Sequence, residues 1–326
     1  MILVCGGAGY IGSHCVEILK KEGYDVVVFD NLVYGHEEFT EDVEFFKGDL
    51  ADISDIRRCF SKYNIDCVMH FSAYCYVGES VKSPEKYYYN NVVGTLNLLK
   101  VMIENDVLDF IFSSTCATYG EPEFMPMDEK HRQSPVNPYG NSKLMIEMVL
   151  KDYERAYGLR SIIFRYFNAA GASLSGRSGE WHEPETHLIP LILDVAAGKR
   201  ESITIFGEDY DTKDGTCVRD YVHVLDIAKA HVLGFELLKK EKSSNHFNLG
   251  SEEGFSVLEI IRMCENITGN KIDIKKGNRR EGDPPVLIAD STKAKNVLGW
   301  QKEYSDIETV LSSAWDWHKR LQEKYK

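Results

Sequence analysis

The chain has 326 residues, 43% hydrophobic and 27% charged, an ordinary globular composition with ample length for a sizeable core in one or two domains. Its formal net charge of -13 comes with no long basic run, which argues against sequence-independent nucleic-acid binding. No stretch approaches the 18 or so apolar residues of a membrane helix, and the short apolar run after Met1 does not read as a signal peptide.

Residues 2–5 read as a short buried strand that runs into Gly6-Gly7-Ala8-Gly9-Tyr10-Ile11-Gly12, followed by a helix to about residue 22. Gly6 permits a tight turn, Gly9 lets the backbone approach a pyrophosphate, and Gly12 lets helix and strand pack closely. The phosphates would sit at the helix N-terminus, against free N–H groups. The next strand, 25–30, ends in Asp30, 18 residues past Gly12. A carboxylate there accepts from an adenine ribose and repels a 2′-phosphate, and no arginine stands at Asn31 or Leu32, so NAD is expected over NADP.

Strand-like and helical segments then alternate. A strand at 43–46 leads to Gly48-Asp49-Leu50, where Asp49 could meet the adenine amino group. A helix at 52–63, a strand at 67–71, a helix from Pro84 to about 105 and a strand ending in Ser113-Ser114-Thr115 follow. The next helix, to about 157, opens with Tyr139-Gly140-Asn141-Ser142-Lys143, and a strand at 161–167 ends at Asn168. The fold class expected is α/β: a doubly wound parallel sheet (Rossmann) with a smaller C-terminal α/β substrate lobe. Ligands of such sheets bind beyond the carboxyl ends of strands, where the glycine turn, Asp30, Phe71-Ser72, Ser113 to Thr115 and Asn168 all fall.

Tyr139 and Lys143 stand one helical turn apart and share a face. A lysine cation beside a tyrosine favours the phenolate, so the pair is a candidate proton-transfer device. After Asn168 the rhythm breaks: 169–187 reads as loop, 190–198 as helix, 206–215 as an exposed acidic loop and 224–239 as helix. A last sheet strand at 246–250 and helices at 256–268, 291–298 and 307–325 complete the chain. The domains expected are 1–168, with a chain return at about 216–250, for NAD, and 169–215 with 251–326 for the substrate. The eight cysteines form no Cys-x-x-Cys pair and read as reduced thiols of a cytoplasmic protein. His182 and His187 are near neighbours but fit no metal motif, so no metal is expected.

Taken together these pieces resemble the extended short-chain dehydrogenase/reductase family, and within it the branch that epimerises UDP-hexoses at C4. The resemblance rests on Gly6 to Gly12, Gly48-Asp49-Leu50, His70-Phe71, Val77-Gly78-Glu79-Ser80, Ser113-Ser114-Thr115, Tyr139 to Lys143, Arg165 to Gly171, Gly215 to His223 and Arg279 to Asp283. The segment around Asp214-Gly215-Thr216 and Val218-Arg219-Asp220-Tyr221 is similar to the epimerase branch in particular. The resemblance implies interconversion of UDP-glucose and UDP-galactose through a 4-keto sugar, with NAD held as cofactor. Tyr139 would take the C4 hydroxyl proton, Lys143 would lower its pKa and hold the nicotinamide ribose, and Thr115 would position the same hydroxyl. Tyr10, Ile11, Asp30, Asn31, Asp49, Leu50, Phe71, Asn90, Ser113 and Tyr166 would line NAD. Asn168, His187, Leu188, Thr204, Phe206, Arg219, Arg280 and Asp283 would line the UDP-sugar, with Leu287 as a gate beside the sugar's C2 substituent. A homodimer is implied, pairing through Val92, Val93, Leu96, Leu99 and Val101 alongside Met145 to Val149.

Two departures from the family pattern stand out: Cys75 occupies a position where many epimerases have a phosphate-facing lysine, and His187 one where some have asparagine. A nucleotide-sugar 4,6-dehydratase shares the loop and the Tyr/Lys pair, but it needs an acid after the Ser-Thr of the fifth strand, where Cys116-Ala117-Thr118 stand here. A non-catalytic NAD-binding protein on the same fold is the other alternative.

Overall fold

The structure is a computed structural model that describes residues 1–280 and 282–324. Its centre is a seven-stranded, all-parallel sheet in the order β10-β6-β5-β4-β1-β2-β3. These strands are β1 (Ile2–Cys5), β2 (Val26–Asp30), β3 (Glu44–Lys47), β4 (Cys67–His70), β5 (Asp109–Thr115), β6 (Arg160–Tyr166) and, much later in the chain, β10 (Asn245–Leu249). The inner strands are apolar at successive positions because both faces are covered. Val4, Val28, Met69, Ile111 and Phe164 point to one face, and Leu3, Val27, Val68 and Phe110 to the other. The first face is covered by α1 (Tyr10–Lys21) and α8 (Val224–Glu241). The second is covered by α2 (Ile53–Lys62), α5 (Gly94–Glu104) and α6 (Pro138–Tyr157).

The single helix expected from Pro84 to about 105 is interrupted. A short α3 (Val77–Lys82) precedes it, α4 (Pro84–Tyr87) opens it, and a π-helical turn spans Tyr88–Val93 before α5. That insertion turns Asn91 inward, where its side chain bonds both backbone groups of Tyr74 and the Ser142 hydroxyl at 2.9–3.0 Å. Such bulges are frequent at functional sites.

The second lobe holds strands the sequence reading missed. β7 (Asn168–Ala170), β9 (Val218–His223), β11 (Gly254–Ser256) and β13 (Val286–Leu287) form one small sheet, and β8 (Ile203–Phe206) pairs with β12 (Ile274–Gly277) in another. They are two to six residues long and lack a clean alternation, which is why pattern alone passes over them. The helices α7 (Leu188–Ala196), α9 (Val257–Thr268) and α11 (Ile307–Lys324) pack around a separate core of Ile192, Leu193, Ile205, Ile260 and Leu311. The remaining helix, α10 (Thr292–Leu298), lies against α8 and β10. Tyr325, where the last helix was expected to end, lies outside the described residues. β9 is a seam, with Tyr221 in the small core and Val222 in the large one. After this seam the chain rejoins the main sheet through α8 and β10.

The positions expected to pair two copies divide between core and surface. Val92, Leu99 and Val101 are buried in the chain's own core. Val93 and Leu96 are 37% and 36% exposed, beside Met145 and Met148 on α6 at 43% and 61%.

Candidate functional site

A cleft of about 400 Å³ runs along the carboxyl ends of β1, β2, β4, β5 and β6. Parallel pairing makes this inevitable, because it turns every strand to end on the same edge. Gly6, Gly9, Tyr10, Ile11, Gly12, Asp30, Asn31, Asp49, Leu50, Phe71, Ser72, Asn90, Ser113, Tyr139, Lys143 and Tyr166 all line it, with Thr115, Asn168 and His187. Sequence reasoning missed Tyr34, Tyr74, Tyr76, Cys116, Glu180 and His182, which line it as well. Cys116 follows Thr115 directly, and the sequence reading used it only to show that no acid stands there.

The glycine turn fits a dinucleotide. Gly6 has φ +79°, and a side chain there would strike the Ser72 backbone. A side chain at Gly12 would overlap the Gly6 carbonyl. Gly9 is different: a Cβ there would meet only the Gly6 carbonyl, at 3.3 Å, so the space above it is left for a ligand. Gly9 caps α1 with no side-chain bond and no acid in the first turn, leaving the N–H groups and positive dipole end to a phosphate. At the far end, Asp30 accepts from the Ala8 and Leu32 N–H groups at 3.1 and 2.8 Å. Burial raises its pKa against those bonds. Asn31 donates to Asp49 at 3.1 Å, tying the two expected adenosine-side residues together.

α6 delivers Tyr139 and Lys143. Asn137 caps it, accepting from Gly140 N–H at 2.9 Å, and Pro138 occupies its first turn. Lys143 is 2% exposed and donates to the Ser113 carbonyl at 2.7 Å, 4.9 Å over the Phe112 ring. Burial lowers its pKa to about 8. Tyr139 departs from expectation: burial raises its pKa well above the ordinary value, joined by Cys75 and Tyr166, while the bond from Thr115 acts in the opposite direction. The ammonium that was to favour the phenolate is bound to Ser113, and desolvation of the phenol is the larger effect. Ser113 also shares a short hydrogen bond with Tyr166. Beneath the pair, Glu147 on α6 is held by Arg165 on β6 at 2.6 Å, by Ser114 at 2.5 Å and by Gln133 at 3.0 Å. The Arg165 and Glu147 side chains are each 6% exposed.

The other substrate-side residues lie outside this cleft. Arg219 on β9 donates to the Val218 carbonyl at 2.7 Å and pairs with Asp283, so each expected ligand contact is engaged by the other. Arg280 lies 4.2 Å over the Phe206 ring at the end of β8, the strand that carries Thr204. Leu188 opens α7, and Leu287 sits beside Arg219 in register. Leu287 packs on Tyr119, Met127, Phe167 and Ala289, a cluster that Cys116 joins from the cleft side. The nearby Arg219 charge acts on the Cys116 thiol, although burial dominates and raises it to about 12.

His187 caps α7 and closes the cleft at the lobe side. Its Nδ1 lies 2.9 Å from both Glu180 and Glu185, and His182 Nδ1 lies 3.5 and 3.3 Å from the same carboxylates. Burial disfavours charge on His182, yet the two glutamates outweigh it and raise the pKa to about 9.

A family model described as the NAD dependent epimerase/dehydratase family matches residues 2–250. A UDP-glucose 4-epimerase of Halalkalibacterium halodurans is 51% identical over 99% of this chain and 97% of its own length. The crystal structure of UDP-glucose 4-epimerase from Brucella ovis in complex with NAD is 46% identical, covers 97% of both chains and has a TM-score of 0.94. The structure of the UDP-Glc/GlcNAc 4-epimerase of Campylobacter jejuni is 44% identical, with a TM-score of 0.86 over 98% of this chain and 99% of that one.

Proposed function

The chain belongs to the NAD dependent epimerase/dehydratase family, and we propose that it interconverts UDP-glucose and UDP-galactose by inverting C4 through a 4-keto sugar. The observation that carries this reading is the convergence of Tyr139, Lys143 and Thr115 in the cleft that also holds the open glycine turn. When bound, NAD would supply the hydride acceptor and later donor, and its positive charge beside Tyr139 would favour the phenolate. Tyr139 takes the proton from the C4 hydroxyl and returns it after the sugar has turned over. Lys143, whose ammonium Ser113 anchors, would hold the nicotinamide ribose. Thr115, braced by the Ala117 N–H at 3.1 Å, orients the reacting hydroxyl.

The lobe of 169–215 and 251–326 takes the UDP group. Arg219 and Arg280 reach the diphosphate, for which a guanidinium fork is suited, and Asp283 accepts from the uridine ribose. The Arg219–Asp283 pair then opens in exchange for these contacts. Cys116 rather than an acid follows Thr115 in the cleft, which favours epimerisation over dehydration.

N-acetylated UDP-hexosamines are turned over as well, more slowly, since Leu287 leaves room beside the C2 substituent. The likeness to the UDP-Glc/GlcNAc enzyme supports this range. The exposed stripe of Val93, Leu96, Met145 and Met148 pairs two copies into a dimer, and a monomer mass at micromolar concentration would remove that part of the proposal. Free cysteines at all eight positions suit a cytoplasmic enzyme of galactose metabolism. The decisive experiment incubates the protein with UDP-galactose and follows UDP-glucose formation. No UDP-glucose, or a 4-keto-6-deoxy product in its place, refutes the proposal.

A further inference from the structure

Four metal-ligating side chains, spaced Glu180-x-His182-x-x-Glu185-x-His187, converge at the lobe-side wall of the cleft, and their donor atoms all lie within 4.8 Å of one another. Both histidines turn Nδ1 inward. Each Nδ1 faces a carboxylate oxygen of Glu180 and one of Glu185, at 3.5 and 3.3 Å for His182 and at 2.9 Å twice for His187. A single N–H needs one acceptor, so two imidazole–carboxylate hydrogen bonds do not require each nitrogen to face both acids. A cation between them does. Zinc binds histidine nitrogen and carboxylate oxygen at about 2.0–2.2 Å, which sets the edge of its tetrahedron at roughly 3.3–3.6 Å. The His182 separations of 3.5 and 3.3 Å fall in that range; those of His187, at 2.9 Å, are shorter, and Glu185 meets His182 through Oε2 but His187 through Oε1, so a bound ion would draw one of its oxygens toward both nitrogens.

The surroundings favour a fixed site. Glu180, His182 and Glu185 are only 11–13% exposed. The Tyr76 ring stands edge-on to His182 at 6.0 Å and tilted to His187 at 6.2 Å, and its buried hydroxyl has no partner among the described residues. His36 stacks on Trp181 at 3.6 Å and donates from Nε2 to that residue's carbonyl at 3.0 Å, pinning the segment from outside. Glu185 also accepts from the Thr186 and His187 N–H groups at 2.7 Å, which orients it as a ligating carboxylate needs.

We propose that Glu180, His182, Glu185 and His187 bind one zinc ion, closing the connector between β7 and α7 into a rigid wall of the cleft. All four coordination positions are filled by protein, so the ion is structural and takes no part in the chemistry at C4. Its effect is to fix His187, the first residue before α7, in one orientation toward the cleft. Mixed nitrogen and oxygen donors favour zinc over magnesium or calcium.

The test uses the untagged full chain with NAD bound, stripped with EDTA and titrated with zinc sulfate against a chromophoric chelator, then repeated with cobalt. The expected result is one zinc per chain, and with cobalt the intense visible bands of a tetrahedral site without thiolate charge transfer. His182→Ala and Glu185→Ala should each weaken binding by more than about 100-fold, beyond the loss from an outer-shell partner. Cys75→Ala should retain it, and circular dichroism of every variant checks folding independently. The proposal is overturned by no zinc above background, by the weak bands of six-coordinate cobalt, or by binding that survives in folded His182→Ala. Any of these would leave two imidazole–carboxylate pairs and nothing more.

Discussion

Replacing Lys143 with Met should abolish turnover yet stabilise the NAD-free protein at neutral pH. Burial lowers the lysine pKa from an ordinary 10.5 to about 8. At 1.36 kcal/mol per unit, the buried charge costs the folded state about 3 kcal/mol. Against that stands the bond to the Ser113 carbonyl, whose loss costs about 1–3 kcal/mol. The net gain for Lys143→Met is therefore up to about 2 kcal/mol below pH 8. With about 2.1 cal/mol/K of unfolding entropy per residue, that is a rise in apparent Tm of up to about 3 °C. The sign follows from proton counting. The folded pKa lies below the unfolded one, so wild type takes up a proton on unfolding between pH 8 and 10.5 and gains stability as pH rises through that window. Below pH 8 the penalty is present in full, and above 10.5 it is gone and only the lost bond remains. Thermal melts of both proteins from pH 7 to 11 should cross, the variant being more stable at the acid end and less stable at the alkaline end. A difference that does not change with pH, or a variant at least 1 kcal/mol less stable at pH 7, refutes the reasoning.

Tyr139→Phe should lower turnover of UDP-galactose by about 10²–10⁴-fold while the protein still retains NAD, and near-normal rates would remove the tyrosine from its role. Leu287→Tyr should cut turnover of UDP-N-acetylglucosamine about tenfold or more, from a clash of about 1–3 kcal/mol, and spare UDP-glucose. Equal loss on both sugars would show that Leu287 is not the gate. Glu147→Leu leaves the Arg165 guanidinium buried without its carboxylate and should cost about 3–5 kcal/mol. The double variant Glu147→Leu/Arg165→Met should cost less than the sum of the two single changes, and strict additivity in chemical melts would mean the pair is not coupled.

The strands and the glycine turn of the first 168 residues were legible because each of those signals had one physical meaning. Four-residue apolar runs such as Ile2–Cys5 bury both faces, and glycines at 6, 9 and 12 suit only a turn under a phosphate. The second lobe was harder to read for the opposite reason. β13 is two residues long and β7 and β11 are three, too short for any periodicity. The π-helical turn at Tyr88–Val93 carries no glycine or proline to announce it. Charge balance within the site was also invisible. The sequence places Lys143 one turn from Tyr139, but not its ammonium against Ser113, and it offers Arg219 and Asp283 as ligand contacts without saying that they hold each other. Of the Glu180 to His187 cluster the sequence reading singled out only His182 and His187, as neighbours that fit no metal motif; folding of an apparently irregular connector brings all four donors together.

The position of β10 at the edge of the main sheet has a consequence for synthesis. It pairs with β6, which ends at Tyr166, yet it begins only at Asn245. At about 5–20 residues per second, a nascent chain carries β6 as an open edge for about 4–16 s before its partner leaves the ribosome. During that interval Tyr119, which bonds Asn248 at 2.6 Å, and the Met127 carbonyl, which accepts from Asn248 at 2.8 Å, wait for their partner too. An unpaired edge next to the Tyr139–Lys143 helix invites pairing with another emerging chain. The interval before residue 245, more than any step in the first half of the sheet, is where an overproduced chain should fall to aggregation and where a chaperone would have most to protect.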